Sequence, residues 1–120
     1  MRAKKILIID DDAELSEELA EVLGAEGYPV ENISDGFRAV KMLEKNGYDI
    51  VLLDFKMQGI TGLDILKEIR AKSPSAAVFF VSGKPGLDAI LEEADMAAAV
   101  DAIIEKPFDP QTLLDRINAC

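Results

Sequence analysis

The sequence predicts an α/β fold: a doubly wound, five-stranded parallel sheet in the order 2-1-3-4-5, with helices on both faces. Three observations carry this expectation. Short apolar runs rich in β-branched and aromatic residues recur without alternating with polar ones, the pattern of strands buried on both faces. Segments with apolar residues at helical spacing separate those runs. The connections are short, so right-handed crossovers and a parallel sheet follow, and at 120 residues the doubly wound order is the natural solution.

The first run is Ile6-Leu7-Ile8-Ile9. Leu15, Leu19, Val22 and Leu23 then recur at helical spacing, with Gly24 and Gly27 near the helix end. Pro29-Val30-Glu31-Asn32-Ile33 alternates and carries a proline, so it belongs nearer an edge. Phe37, Val40 and Leu43 form a second stripe after an Asp35-Gly36 turn, and Asn46-Gly47 stops it. Ile50-Val51-Leu52-Leu53 is the third strand. Leu63, Leu66 and Ile69 follow as a helical face, with Lys67, Arg70 and Lys72 toward the negative end of the helix dipole. Ala77-Val78-Phe79-Phe80-Val81 is the fourth strand, and Leu87, Ile90 and Leu91 start the fourth helix. Ala102-Ile103-Ile104 is the fifth strand, expected to be as buried as the others. Leu113, Leu114 and Ile117 close the chain behind Asp109-Pro110, an N-cap followed by proline at the first helical position.

Composition bounds the function. The apolar share of 49% supports one core, and residues 1–120 are expected to form a single domain. The excess of 23 acidic over 13 basic residues gives a net charge of −10, which repels nucleic acid and favours cations and basic partner surfaces. The lone cysteine, Cys120, excludes an internal disulfide and suits a reducing compartment, so a cytoplasmic location is expected. Met1-Arg2-Ala3-Lys4-Lys5 before an apolar run imitates a signal peptide, but that run is too short and ends in aspartates. No segment reaches the roughly 20 apolar residues of a membrane span.

In such sheets ligands sit beyond the carboxyl ends of the strands. The residues there are Asp10, Asp11 and Asp12 after the first strand and Asp54 after the third; Ser82-Gly83 follow the fourth and Lys106-Pro107 the fifth. An aspartate after a strand is usually a helix cap, but capping uses one side chain, not three. A dinucleotide or flavin site would place glycines here so that backbone amides face the phosphates. Clustered carboxylates suit a hard divalent cation such as Mg²⁺ instead. Asp54 ends a buried run, where a charge is costly unless paired, and the next helical stripe begins only near Leu63, so Asp54 caps nothing nearby. Lys106 has these acids as obvious partners. Ser82 alone is ordinary turn chemistry and gains weight only from its neighbours.

Taken together, Asp10-Asp11, Asp54, Ser82 and Lys106-Pro107-Phe108 resemble, in order and spacing, the receiver domain of bacterial two-component response regulators. The resemblance covers essentially the whole chain, from "KKILIIDDD" through "DIVLLDFKMQGITGLD" and "VFFVSG" to "IIEKPF". It implies the flavodoxin-like receiver fold and a phosphoryl group accepted on Asp54 from a sensor histidine kinase or histidine phosphotransfer protein. Asp11 then resembles the direct Mg²⁺ ligand, Asp10 the ligand acting through water, and Lys56 the residue whose backbone carbonyl completes the set. Ser82 resembles the hydroxyl that bonds the phosphoryl oxygen, and Lys106 the cation that pairs with it. The family relays the signal to a downstream effector protein or an appended output domain, and it often forms homodimers through its last helices and strand. Its members catalyse only their own phosphorylation and dephosphorylation.

Three positions depart from the family. Gln58 stands where proline is usual, so a less rigid loop after Asp54 is expected. Ile103 occupies the aromatic switch position and has no polar ring tip to swing, so output would rest on Ser82 and the fourth helix. The stretch from Ser82 to Lys106 is about two residues longer than in the best-known members, and its Ala97-Ala98-Ala99 segment leaves the fourth helix the least defined element. Lys56 and Lys84 flank the pocket at positions that tune phosphoryl lifetime in the family. Two other readings compete. A docking module that works without phosphorylation usually loses an acidic or lysine position, and all are retained here. A haloacid-dehalogenase-type phosphatase needs a second acid two residues after its nucleophile, where this chain has Lys56.

Overall fold

The computed structural model describes residues 3–120; Met1-Arg2, part of the charged start considered above, lie outside the described residues. Strands β1 (Ile6–Ile9), β2 (Val30–Ile33), β3 (Ile50–Leu53), β4 (Ala77–Ser82) and β5 (Ala102–Glu105) alternate with helices α1 (Ala13–Ala25), α2 (Gly36–Lys45), α3 (Gly62–Lys72), α4 (Leu87–Glu93) and α5 (Pro110–Asn118). All pairings are parallel, and the order is β2-β1-β3-β4-β5, as expected.

The sheet divides the core in two. Leu7, Ile9, Val51, Leu53, Val78 and Phe80 face α2, α3 and α4, meeting Leu43, Leu66, Ile69 and Leu91. Their neighbours Ile6, Ile8, Ile50, Leu52, Phe79 and Val81 face α1 and α5, meeting Leu19, Leu23, Leu113 and Ile117. Each such side chain contributes roughly 1.5–3 kcal/mol on burial. Because β1 and β3 are central, the residues that follow them, Asp10 and Asp54, are held against this core at 3% and 7% exposure.

Helix ends follow the chemistry of their residues. Asp12 caps α1, Asp35 caps α2 and Asp109 caps α5, each accepting from a backbone N–H in the first turn. Thr61 and Asp64 close a capping box on α3. The Gly62 N–H also donates to the Phe55 carbonyl at 2.7 Å, so both ends of the loop after Asp54 are tied together. Gly62 is required there: a Cβ would lie 2.6 Å from Phe55 Cα and 2.7 Å from the Asp54 carbonyl oxygen.

Three expectations need correction. Phe37 is 58% exposed and is not part of the buried stripe. Asp35-Gly36 is not a free turn but the cap and first residue of α2, so Gly36, Ala39 and Leu43 point inward, with Gly36 packed closely on Ile60. Strand β5 lies at the sheet edge and is only partly covered, with Ile104 its buried residue. The fourth helical region is a seven-residue α4 followed by a 3₁₀ turn over Ala97–Ala99. The chain breaks at Asp95, whose φ of 58° is left-handed. The Met96 N–H reaches back to the Leu91 carbonyl and the Asp95 N–H to Glu92, the bonding of a Schellman stop. Arg70, from α3, then holds the turn by donating to the Ala99 carbonyl, and to those of Pro74 and Ala76.

At the opposite end of the sheet, the Tyr48 hydroxyl donates to Glu31 Oε2 at 3.0 Å, and Lys5 Nζ lies 2.8 Å from Glu31 Oε1. Burial, and then the Glu31 carboxylate, push the Tyr48 phenol up to about 12.

Gly62→Ala is expected to lower stability by about 2 kcal/mol through overpacking, whereas Gly24→Ala, which meets nothing within 4 Å, raises it by about 0.5–1 kcal/mol; urea midpoints of the two variants check both signs. The Tyr48 phenol ionises later in the folded than in the unfolded chain. Its contribution is therefore present below pH 10 and is lost as pH rises toward about 12. Tyr48→Phe is expected to be about 1 kcal/mol less stable near neutrality, with the gap closing over that alkaline window in denaturation series at several pH values.

Candidate functional site

The carboxyl ends of β1, β3, β4 and β5 converge on one pocket. Asp11, Asp54, Phe55, Lys56, Ser82, Gly83, Lys84, Pro85 and Lys106 line it, and it encloses about 430 Å³. Asp10, Asp11 and Asp54 each bring a carboxylate oxygen within 4.8 Å of the others. Asp10 and Asp54 are buried, while Asp11 is exposed at the rim. Three like charges at this spacing repel one another strongly when water is scarce.

Lys106 is the direct offset. Its Nζ donates to Asp10 Oδ2 at 2.9 Å and stands 3.6 Å from Asp54 Oδ2. Burial alone would push the Lys106 ammonium down. Asp10, Asp54 and Asp12 together outweigh that and hold it above its usual range. Asp54 goes the other way for a carboxylate. Burial, then the charge of Asp10, raise its pKa, against the opposing pull of Lys106 and of the Lys56 backbone N–H. The other Asp10 oxygen accepts the Asp12 N–H at 2.9 Å, which turns Asp10 inward and leaves Asp12 to cap α1. The acidic run is therefore split between a cap and a site, and Asp12 is the residue that folding uses.

Ser82 is buried at the end of β4, and its Oγ accepts the Lys84 N–H at 3.1 Å. Lys106 directly follows β5, and its own peptide bond to Pro107 is cis. The residues singled out from the sequence thus come together: Asp54 with Asp10, Asp11 and Lys106 by direct distance, and Lys56 and Ser82 as walls of the same pocket. A set of carboxylates with one ammonium among them fits a hard divalent cation, whose charge would complete the offset. One contact went unread in the sequence. Lys84 Nζ sits 5.5 Å from the centroid of the Phe55 ring, and Phe55 in turn packs on Phe80 at 6.2 Å.

Comparison with known proteins places these features in a family. The sequence profile of the response regulator receiver domain matches residues 6–118. The DNA-binding response regulator MtrA of Mycobacterium tuberculosis is 34% identical over 116 residues, covering 97% of this chain and 50% of the relative. A CpxR homolog, a transcriptional regulatory protein of Haemophilus influenzae, is 35% identical over 115 residues, covering 96% and 49%. The chain spans about half the length of these curated relatives. Among solved structures, a response regulator receiver domain protein of Methanospirillum hungatei superposes with a TM-score of 0.90 at 28% identity, covering 98% of this chain and 93% of that one. The response regulator TrrA of Thermotoga maritima, solved in complex with Mg²⁺-BeF, gives 0.83 at 30% identity, covering 97% of each chain. With the profile matching from Ile6 to Asn118 and the acidic pocket at the matching strand ends, this chain belongs to the response regulator receiver domain family.

Proposed function

We propose that Asp54 accepts a phosphoryl group in a Mg²⁺-dependent reaction and that the chain passes this event on as a change of shape. The supporting observation is a buried carboxylate that caps no helix, with two further carboxylates within 4.8 Å and an ammonium 3.6 Å away. Asp54 attacks phosphorus; the bond from phosphorus to the donor's imidazole nitrogen or acyl oxygen breaks, and an acyl phosphate forms. Lys106 pairs with a phosphoryl oxygen and the Ser82 hydroxyl donates to another, each already fixed at a strand end. Asp10, Asp11 and Asp54, with the Lys56 carbonyl, are the groups that would hold Mg²⁺. When bound, Mg²⁺ supplies positive charge against the carboxylates and the transferring phosphoryl group.

The phosphodonor is a sensor histidine kinase or histidine phosphotransfer protein, and residues 1–120 act as one receiver unit in the cytoplasm. The recipient of the signal is an effector protein or an appended output domain, in keeping with relatives about twice as long. Slow loss of the phosphoryl group to water, catalysed by the same pocket, completes the cycle. No described helix is long and apolar enough to cross a membrane.

With acetyl phosphate and Mg²⁺, intact-mass measurement is expected to show the gain of one phosphoryl group, abolished by chelator and by Asp54→Asn. No gain at saturating donor would overturn the reading and leave a docking module. A second outcome comes from the raised Asp54 pKa. Its ionised form is disfavoured by folding, so stability is lost as pH rises from the unfolded value of 3.8 through the raised folded value, and stays lost at neutral pH. Asp54→Asn is therefore expected to raise the thermal midpoint of metal-free protein by a few degrees, and Mg²⁺ to stabilise the unsubstituted chain more than this variant.

A further inference from the structure

A second cavity, of about 160 Å³, lies between the first half of α1 and the carboxyl ends of β1 and β2. Its polar wall is Asp10, Ser16, Glu17, Asn32 and Ser34. Ser16 sets this cavity apart. It lies on the same stripe of α1 as the buried Leu19 and Leu23, so its hydroxyl faces the sheet, and it is only 4% exposed. A serine inside a helix commonly bonds back to the carbonyl four residues earlier. Here the Asp12 carbonyl accepts the Ser16 N–H at 3.0 Å, and Ser16 Oγ has no hydrogen-bond partner among the described residues. A buried hydroxyl left unpaired is costly, and a polar guest in the space it faces removes that cost.

The wall limits what can enter. Two carboxylates, two hydroxyls and one carboxamide line it, and no lysine or arginine among the described residues does. Anions are repelled, the more so because α1 also carries Glu14, Glu18 and Glu21 and no basic residue. The positive end of that helix is already met by its Asp12 cap. A divalent metal is poorly served too. Both oxygens of Asp10 are engaged, by the Asp12 N–H and by Lys106, and Glu17 is not in the three-acid cluster. What fits is a singly charged cation that brings N–H donors to the oxygens around it. Guanidinium suits the wall better than ammonium, since it is more weakly hydrated and its planar fork serves a carboxylate and neighbouring oxygens together. We infer that this cavity binds a guanidinium group, with Glu17 as its charge partner and the Ser16 hydroxyl as an acceptor on its inner wall. Of its polar wall only Asp10 also belongs to the acidic cluster, and the inference does not rest on phosphoryl transfer.

The test titrates methylguanidinium chloride into the ¹⁵N-labelled full chain without Mg²⁺, at an ionic strength held constant with sodium chloride, and follows the amide resonances. Saturable shifts are expected at residues 13–17 and 32–34, with residues 54–56 and 82–84 little moved. Methylammonium should bind more weakly. Ser16→Ala and Glu17→Gln both place good helix formers on α1, so each variant keeps its fold. Each is expected to weaken binding about tenfold, the scale of one hydrogen bond to a charged group. Butylguanidinium and N-acetylarginine amide, which carry the same charge, then separate the sources. Tighter butylguanidinium supports a free small molecule, and tighter capped arginine supports an arginine side chain carried by a protein. No saturable shift, or shifts that sodium alone reproduces, would leave water as the cavity's guest and overturn the inference. Full-strength binding in either variant would place the cation on the acidic surface at large, and would overturn it as well.

Discussion

The structure depends on one electrostatic constraint: three carboxylates gathered at the ends of two central strands, with a single lysine, Lys106, in contact with two of them. Parallel strands leave no choice about where those groups go. The registers Ile9↔Leu53, Leu53↔Phe80 and Ser82↔Glu105 bring the strand ends level, so whatever follows each strand meets its neighbours there. The unbroken apolar runs behind them fix that register, because any slip would carry polar residues into the core. The core therefore holds an unfavourable charge arrangement in place, and binding chemistry relieves it.

The same tension explains the division of labour among neighbouring residues. Asp12 caps α1, and its N–H orients Asp10. Thr61 and Asp64 cap α3, which frees Asp54 from that task. Gly62 lets α3 begin against the backbone of the residue it must not disturb. Stability and site share these residues closely, and substitutions that look conservative in sequence differ sharply in consequence.

Much of this was legible in the sequence. The strand ends, Asp54 in particular, were readable because an acid that terminates an apolar run and precedes a long loop has few structural uses. Sheet order and the capping role of Asp109 followed from composition and spacing, whereas the capping box of Thr61 and Asp64 went unread. What was not legible depended on neighbours distant in the chain. Phe37 reads as core by spacing, yet α2 buries Gly36, Ala39 and Leu43, with Gly36 packed closely on Ile60, and leaves that ring outside. Ile103 reads as fully buried by type, yet β5 has no neighbour on its far side. The Lys84–Phe55 contact joins two loops, and no local pattern announces it.

The short α4 has a consequence of its own. It has seven residues, a left-handed stop at Asp95, and only Leu87 and Leu91 fully buried against the sheet. Helices of this length have little stability apart from their packing. Opening such a segment takes far less free energy than unfolding the sheet beneath it. A ligand at the strand ends then needs only modest preference for one form to change the balance, since a tenfold shift requires about 1.4 kcal/mol of differential affinity. Position 103 carries isoleucine and no aromatic ring, so a shift of this kind would draw on helix length rather than on a side-chain lever.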